Sequence, residues 1–164
     1  MTKIVLDEAD LRLLNALQAD AAQTNLDLAQ RCAISPATAL RRVKRLVDLG
    51  LIQRRVAILD ADRLGQTLGH GLIALVEVSL DRQGQEHLDA FEHRIVADQE
   101  VQQCYRVSPG PDFILIVTVR DMPAYHALTQ RLFTQDANVR NVKAFFSLKR
   151  AKFDTHLPLS STER

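Results

Sequence analysis

Ser35-Pro36-Ala37-Thr38-Ala39-Leu40-Arg41-Arg42-Val43-Lys44-Arg45-Leu46 reads as a helix with an abrupt start and two chemically different sides. Ser35 offers an oxygen to the free backbone N–H groups of a first turn, and Pro36 loses nothing by lacking an N–H at the first helical position. The helix is predicted to run from Pro36 to about Leu49, with Gly50 as its stop. Laid out at about 100° per residue, Leu40, Val43 and Val47 turn one way with Ala39 and Leu46 beside them. Thr38, Arg41 and Arg45 turn the other way, flanked by Ala37 and Arg42. A basic outer face on a capped helix is what a DNA major groove requires, because Arg can bond guanine twice and other cations can meet phosphate. Base reading falls to Ala37, Thr38, Arg41 and Arg42, with Ala37 limited to apolar contact such as a thymine methyl. Ser35 and Arg45 are suited to phosphate.

The neighbours of this helix complete a binding module. Asp7 can cap a first helix that carries Leu11, Leu14 and Leu17 at helical spacing and ends near Asp20. A short second helix from Leu26 to about Ala33 brings Leu28, Ala29 and Cys32 to one side, and Ile34 closes it. After Gly50, Leu51 to Leu59 reads as two short strands around Gln53-Arg54-Arg55, which puts Arg54 and Arg55 at a hairpin tip, within reach of the DNA backbone or an adjacent minor groove. Three helices and a hairpin make a winged helix-turn-helix. Its charge fits: between Ser35 and Ile58 six cations stand against the single acid Asp48, a local +5 on a chain whose net charge is +1.

Asp60 to Gly71, with Gly65, Gly69 and Gly71 among polar residues, reads as a linker. Beyond it the pattern changes to strand (Leu72 to Val78), helix (Gly84 to Ala97), strand (Glu100 to Val107), strand (Asp112 to Arg120), helix (Met122 to Thr134) and strand (Val139 to Lys149). That order, β-α-β-β-α-β, is the ferredoxin-like arrangement, in which helices cover one face of the sheet. The open face predicts pairing of two such domains. The fold class is therefore α+β, with domains at 1–59 (DNA binding), 60–71 (linker) and 72–150 (assembly), and a polar, mobile tail at 151–164.

Composition excludes several alternatives. Of the 164 residues, 46% are hydrophobic and 25% charged, the balance of an ordinary folded protein. The acidic start and the lack of a long apolar run predict a cytoplasmic protein with no membrane partner, and DNA binding would make it nucleoid-associated. Cys32 and Cys104 match no CxxC or zinc spacing and read as buried thiols. His70, His87, His93, His126 and His156 form no HxH or HExxH pattern, so neither a metal nor a cofactor is expected. No nucleophile paired with a base stands out, so no catalytic residue is nominated.

Leu6-Asp7-Glu8-Ala9-Asp10, Leu17-Gln18-Ala19-Asp20, Leu28-Ala29, Ser35-Pro36-Ala37-Thr38, Arg41-Arg42-Val43-Lys44-Arg45-Leu46 and Gly50-Leu51-Ile52 together resemble the leucine-responsive/asparagine-regulator (Lrp/AsnC) family. Val107-Ser108, Asp112-Phe113, Asp121-Met122 and Tyr125 resemble the same family's C-terminal domain, so the likeness covers roughly residues 4 to 150. The resemblance implies a transcriptional regulator of amino-acid metabolism or transport, built from homodimers often assembled into octamers on double-stranded DNA, with an amino acid as effector. It places that effector between dimers and nominates Ser108, Gly110, Asp112, Phe113, Asp121, Met122 and Tyr125. One departure stands out. The family's glycine directly after the Val-Ser or Val-Thr pair is Pro109 here, with Gly110 next, and proline offers no N–H to a ligand carboxylate. Siroheme decarboxylases resemble this two-domain architecture and fold alone does not exclude them; against that reading stand Arg41, Arg42 and Arg45 on one outer face, which an enzyme would not require.

Overall fold

The structure is a computed structural model and describes residues 4–69 and 71–159; His70 lies outside the described residues. Short side chains at the helix starts set the helical part of the chain. Asp7 caps α1 (Glu8–Ala19) in a reciprocal box with Asp10, Thr24 does the same for α2 (Asn25–Arg31) with Asp27, and Ser35 caps α3 (Pro36–Asp48) through the Thr38 N–H. The turn between α2 and α3 runs through Ala33, which adopts a left-handed φ of 53° without being glycine. Leu13, Ala16, Leu17, Leu28, Ala29, Cys32, Ala39, Val43 and Leu46 form the core of this unit.

Three expectations around this unit are corrected. Residues 51–59 form no strand, and their exposed Val56 and Ile58 have no paired backbone. A strand needs a neighbour to bond, and this stretch has none among the described residues. The expected linker contains α4 (Ala61–Leu68): Asp60 caps the N–H groups of Asp62 and Arg63, and Gly69, at φ 68°, ends the helix. Gly65, expected in a loop, is inside that helix. The tail is extended through residue 159 and fastened to α1. Gln18 donates to the Leu157 carbonyl at 3.1 Å and accepts from the Leu157 N–H at 2.6 Å, and Asn15 donates to the Leu159 carbonyl at 3.1 Å. Among the described residues, those up to 58 and those from 152 accordingly cluster as one compact unit, and those between 59 and 151 as another.

The second unit is a four-stranded antiparallel sheet in the order β2-β3-β1-β4, with β1 (Leu72–Leu80), β2 (Val101–Arg106), β3 (Phe113–Val119) and β4 (Val139–Phe146). With its helices it is the ferredoxin-like βαββαβ arrangement. Alternation divides the sheet cleanly. Ala74, Val76, Val78 and Leu80 of β1 and Phe113, Leu115, Val117 and Val119 of β3 are buried beneath α5 (Gln85–Val96) and α6 (Met122–Thr129). α6 continues into a π-helical turn, Gln130–Thr134, that adds Leu132 and Phe133 to the core. On the other face Leu75 lies between Ile116 and Phe145, and Ile114 lies between Glu77 and Tyr105. Among the described residues no helix buries these side chains; Leu75, Phe145 and Tyr105 are 41%, 46% and 53% exposed.

Candidate nucleic-acid interface and effector region

The burial of α3 decides which of its side chains can leave the protein. Ala39, Val43 and Leu46 point into the core, which puts the opposite side of the helix on Ala37, Leu40, Arg41 and Lys44, all exposed. Leu40 is 63% exposed and Val47 45%, so neither belongs to the inner face expected for them. A helical wheel centred on the largest apolar residues misplaces that face; its true centre is the tighter row of Ala39, Val43 and Leu46, where a small alanine lets α3 approach its neighbours. Leu40 and Lys44 are the residues that the wheel misses, and the exposed pair lies beside Arg41 at helical spacing.

Arg42 and Arg45 have a different place from the one expected. The Arg42 Nη1 donates to both Asp7 oxygens, at 2.8 and 2.7 Å, and to Asp10 Oδ1 at 2.8 Å. Arg45 donates through Nη1 to Asp10 Oδ2 at 3.0 Å and through Nη2 to the Val5 carbonyl at 3.0 Å. Two guanidiniums expected on DNA are thus turned onto α1, because the acids that cap α1 lie beside the edge of α3. The backbone N–H of Asp10 and the Arg42 guanidinium hold the Asp7 carboxyl below the usual carboxylate range. By contrast Arg41, Lys44, Arg54 and Arg55 have no hydrogen-bond or ion-pair partner among the described residues and are exposed. Ser35 is exposed but occupied with Thr38, whose N–H and hydroxyl it meets at 3.2 and 2.8 Å.

The residues nominated for an effector do not form one site in one subunit. Ser108 and Gly110 are exposed in the loop before β3, and Asp121 and Met122 open α6 after it. β3 separates the two groups by its full seven residues, roughly 20 Å. Asp112 is engaged within its own unit: its Oδ2 accepts from the Leu80 N–H at 2.7 Å and from Gln83 at 3.3 Å. Phe113 is completely buried, 4.8 Å from the Phe91 ring, so contact with a ligand is corrected to a core role. Tyr125 is 6% exposed, its ring edge-on to Phe146, and burial pushes its hydroxyl pKa up. Asp121 caps α6 by accepting from the Ala124 N–H at 2.9 Å. Gly110, at φ 125°, adopts a backbone that an L side chain rarely takes.

Comparison with known proteins agrees with both units. A family model described as winged helix-turn-helix DNA-binding matches residues 6–53, and one described as Lrp/AsnC ligand binding domain matches residues 73–157. This chain belongs to the Lrp/AsnC family. The Bkd operon transcriptional regulator of Pseudomonas aeruginosa is 36% identical over 154 residues, covering 94% of this chain and 98% of its own. The leucine-responsive regulatory protein of Escherichia coli is 30% identical over 156 residues, covering 95% and 93%. A transcriptional regulator of Neisseria meningitidis, solved in complex with L-Met, superposes with a TM-score of 0.82 at 29% identity, covering 94% of this chain and 97% of its own. Like these relatives, which are transcriptional regulators rather than enzymes, this Lrp/AsnC protein is a DNA-binding regulator with a ligand-binding domain. Among the described residues no helix is long and apolar enough to cross a membrane.

Proposed function

We propose that this Lrp/AsnC regulator reads near-palindromic DNA with the paired α3 helices of a dimer, and that an amino acid held by its sheet units changes that binding. The observation that carries the reading is the outer face of α3, where Arg41 and Lys44 stand exposed and unpaired beside Ala37 and Leu40. Arg41 makes the guanine contact, Ala37 and Leu40 meet thymine methyls, and Thr38 adds a base-edge hydrogen bond. Lys44 and Ser35 take phosphate, and Arg54 and Arg55 take the backbone beside the groove. Two-fold symmetry then favours half-sites about one turn of DNA apart, or a multiple.

Dimerisation through the open sheet face covers Leu75, Ile116 and Phe145. Assembly of dimers brings the Ser108–Gly110 loop of one subunit toward the α6 start of another, which a single subunit cannot do across the length of β3. The L-Met bound to the N. meningitidis regulator supports an amino acid as the ligand class, and the regulated genes are those of amino-acid metabolism or transport, acted on at the nucleoid of the cytoplasm. Mobility shift of the full chain on its own upstream region, with competitor DNA and a panel of single amino acids, tests this. Specific retardation altered by one amino acid is expected. Arg41→Ala is expected to weaken binding by about 1–3 kcal/mol and to relax the preference at one base position. Unchanged preference removes Arg41 from base reading, and indifference to the whole panel removes the amino-acid effector.

A further inference from the structure

We infer that Asp10 is a positioning residue for the DNA-reading helix: it holds α3 in place on α1 through Arg42 and Arg45, and neither arginine contacts DNA. The inference rests on reading α3 as the groove helix. Asp10 is 2% exposed, which makes it the one buried charged residue among those described. Both of its oxygens are used: Oδ1 accepts from Arg42 at 2.8 Å, and Oδ2 accepts from Arg45 at 3.0 Å and from the Asp7 N–H at 3.3 Å. Asp7 completes the group by accepting from Arg42 with both oxygens. Two carboxylates and two guanidiniums therefore neutralise one another along the α1–α3 contact.

An ion group of this kind, in which Asp10 alone is buried, adds little net stability, because desolvation of Asp10 and solvent screening of its partners offset most of the attraction. It does differ from an apolar contact in direction. Leu13 and Ala16 of α1 and Ala39, Val43 and Leu46 of α3 meet in the apolar core, and apolar burial is non-directional. Hydrogen bonds from Arg42 and Arg45, three residues apart on one edge of α3, fix both its rotation and its axial position. Arg41 and Lys44, on the far side, are aimed by that fixation. The same pairing removes two of the four cations at positions 41, 42, 44 and 45 from the charge offered to phosphate.

The test measures the affinity of the full chain for the duplex it retards most strongly and for a random duplex of equal length, as a function of salt, at temperatures where circular dichroism shows each variant folded. Asp10→Asn and Arg42→Gln are each expected to lose about tenfold in specific affinity, the value of one misplaced base contact. Their random-duplex affinity and salt slope should stay at the wild-type values. The double variant should be no worse than either single one, since both remove the same strut. Lys44→Ala is the contrast: it leaves one phosphate without its cation and lowers the salt slope by about one. If Asp10→Asn cannot be folded, Arg42→Gln and Arg45→Gln give the same reading of affinity and slope. A slope that drops in Arg42→Gln as it does in Lys44→Ala overturns the inference, as do additive losses or unchanged specific affinity. A wild-type protein with no preference for its own site over random DNA overturns the groove reading itself, which is a separate result.

Discussion

The sheet unit buries Phe91, Phe113, Tyr125 and Phe133 in one continuous cluster, whereas the core of the helical unit has no aromatic residue and is made of leucine, alanine, valine and Cys32. Aromatic side chains contribute much of the energy of a core, since each buries a large apolar area. The helical unit draws instead on directional polar contacts: the Asp10 ion group on one side of α1, and the extended segment 157–159 bonded to Asn15 and Gln18. Ion pairs occur in both units, Arg106 with Asp89 and Glu92 and Arg131 with Asp98 and Glu100 among them in the sheet unit, so the contrast is in aromatic area within the two cores. A winged helix-turn-helix that binds DNA needs a defined orientation of its helices, which directional contacts supply.

The strongest challenge to this contrast is Phe113→Ala. Phe113 is fully buried between α5 and the sheet, with Arg106 above its ring at 5.7 Å, and truncation should cost about 3–5 kcal/mol. Native-state amide exchange in the full chain would report it as weaker protection in β1 and β3, with α2 and α3 unchanged. Equal weakening in both units would mean that they unfold together, and the contrast would then be one of composition only.

Gln18→Ala probes the opposite unit. It removes two hydrogen bonds to Leu157, one of them at 2.6 Å, and at the usual net value of a hydrogen bond should cost about 1–2 kcal/mol. The effect should fall on α1 and α2 while β1 and β3 keep their protection. If exchange in the helical unit is unaffected, the tail contact does not contribute to its stability.

The difference between the units also explains which features are legible in the sequence. Caps are local, so Asp7 and Ser35 are visible as helix starts from their positions alone, whereas Asp121, read only as an effector residue, caps α6. The apolar runs of β1 and β3 identify strands, and the element order implies the sheet. The sites are harder, because their partners are far apart in the chain. Arg42 and Asp10 are 32 residues apart and Arg45 and Asp10 are 35, and nothing in a helical wheel of α3 indicates an acid waiting on α1. Leu40 turns inward only when size is taken as a guide to burial, while the structure places the small Ala39 at 0% exposure. Residues 51–59 have the composition of strands but no partner to pair with, and Asp60, expected in a loop, caps a helix instead.

Acid should separate the two units least. In the helical unit the Asp10 N–H and then Arg42 lower the pKa of Asp7, and in the sheet unit Arg106 and then Gln85 lower that of Asp89. A carboxylate with a depressed folded-state pKa contributes stability above its unfolded value, and loses that contribution as pH falls through the folded one. Both units should therefore weaken below the usual carboxylate range, near pH 4 and lower. The Asp7 side chain is 54% exposed, so solvent screening limits its share to below about 1 kcal/mol. Asp7→Asn should flatten the acid limb of stability for α1 to α3 alone, and Asp89→Asn that for α5 and β2 alone, as followed by amide exchange at several pH values. An acid limb in the helical unit that survives Asp7→Asn would assign the pH dependence to another carboxylate and leave Asp7 as a cap only.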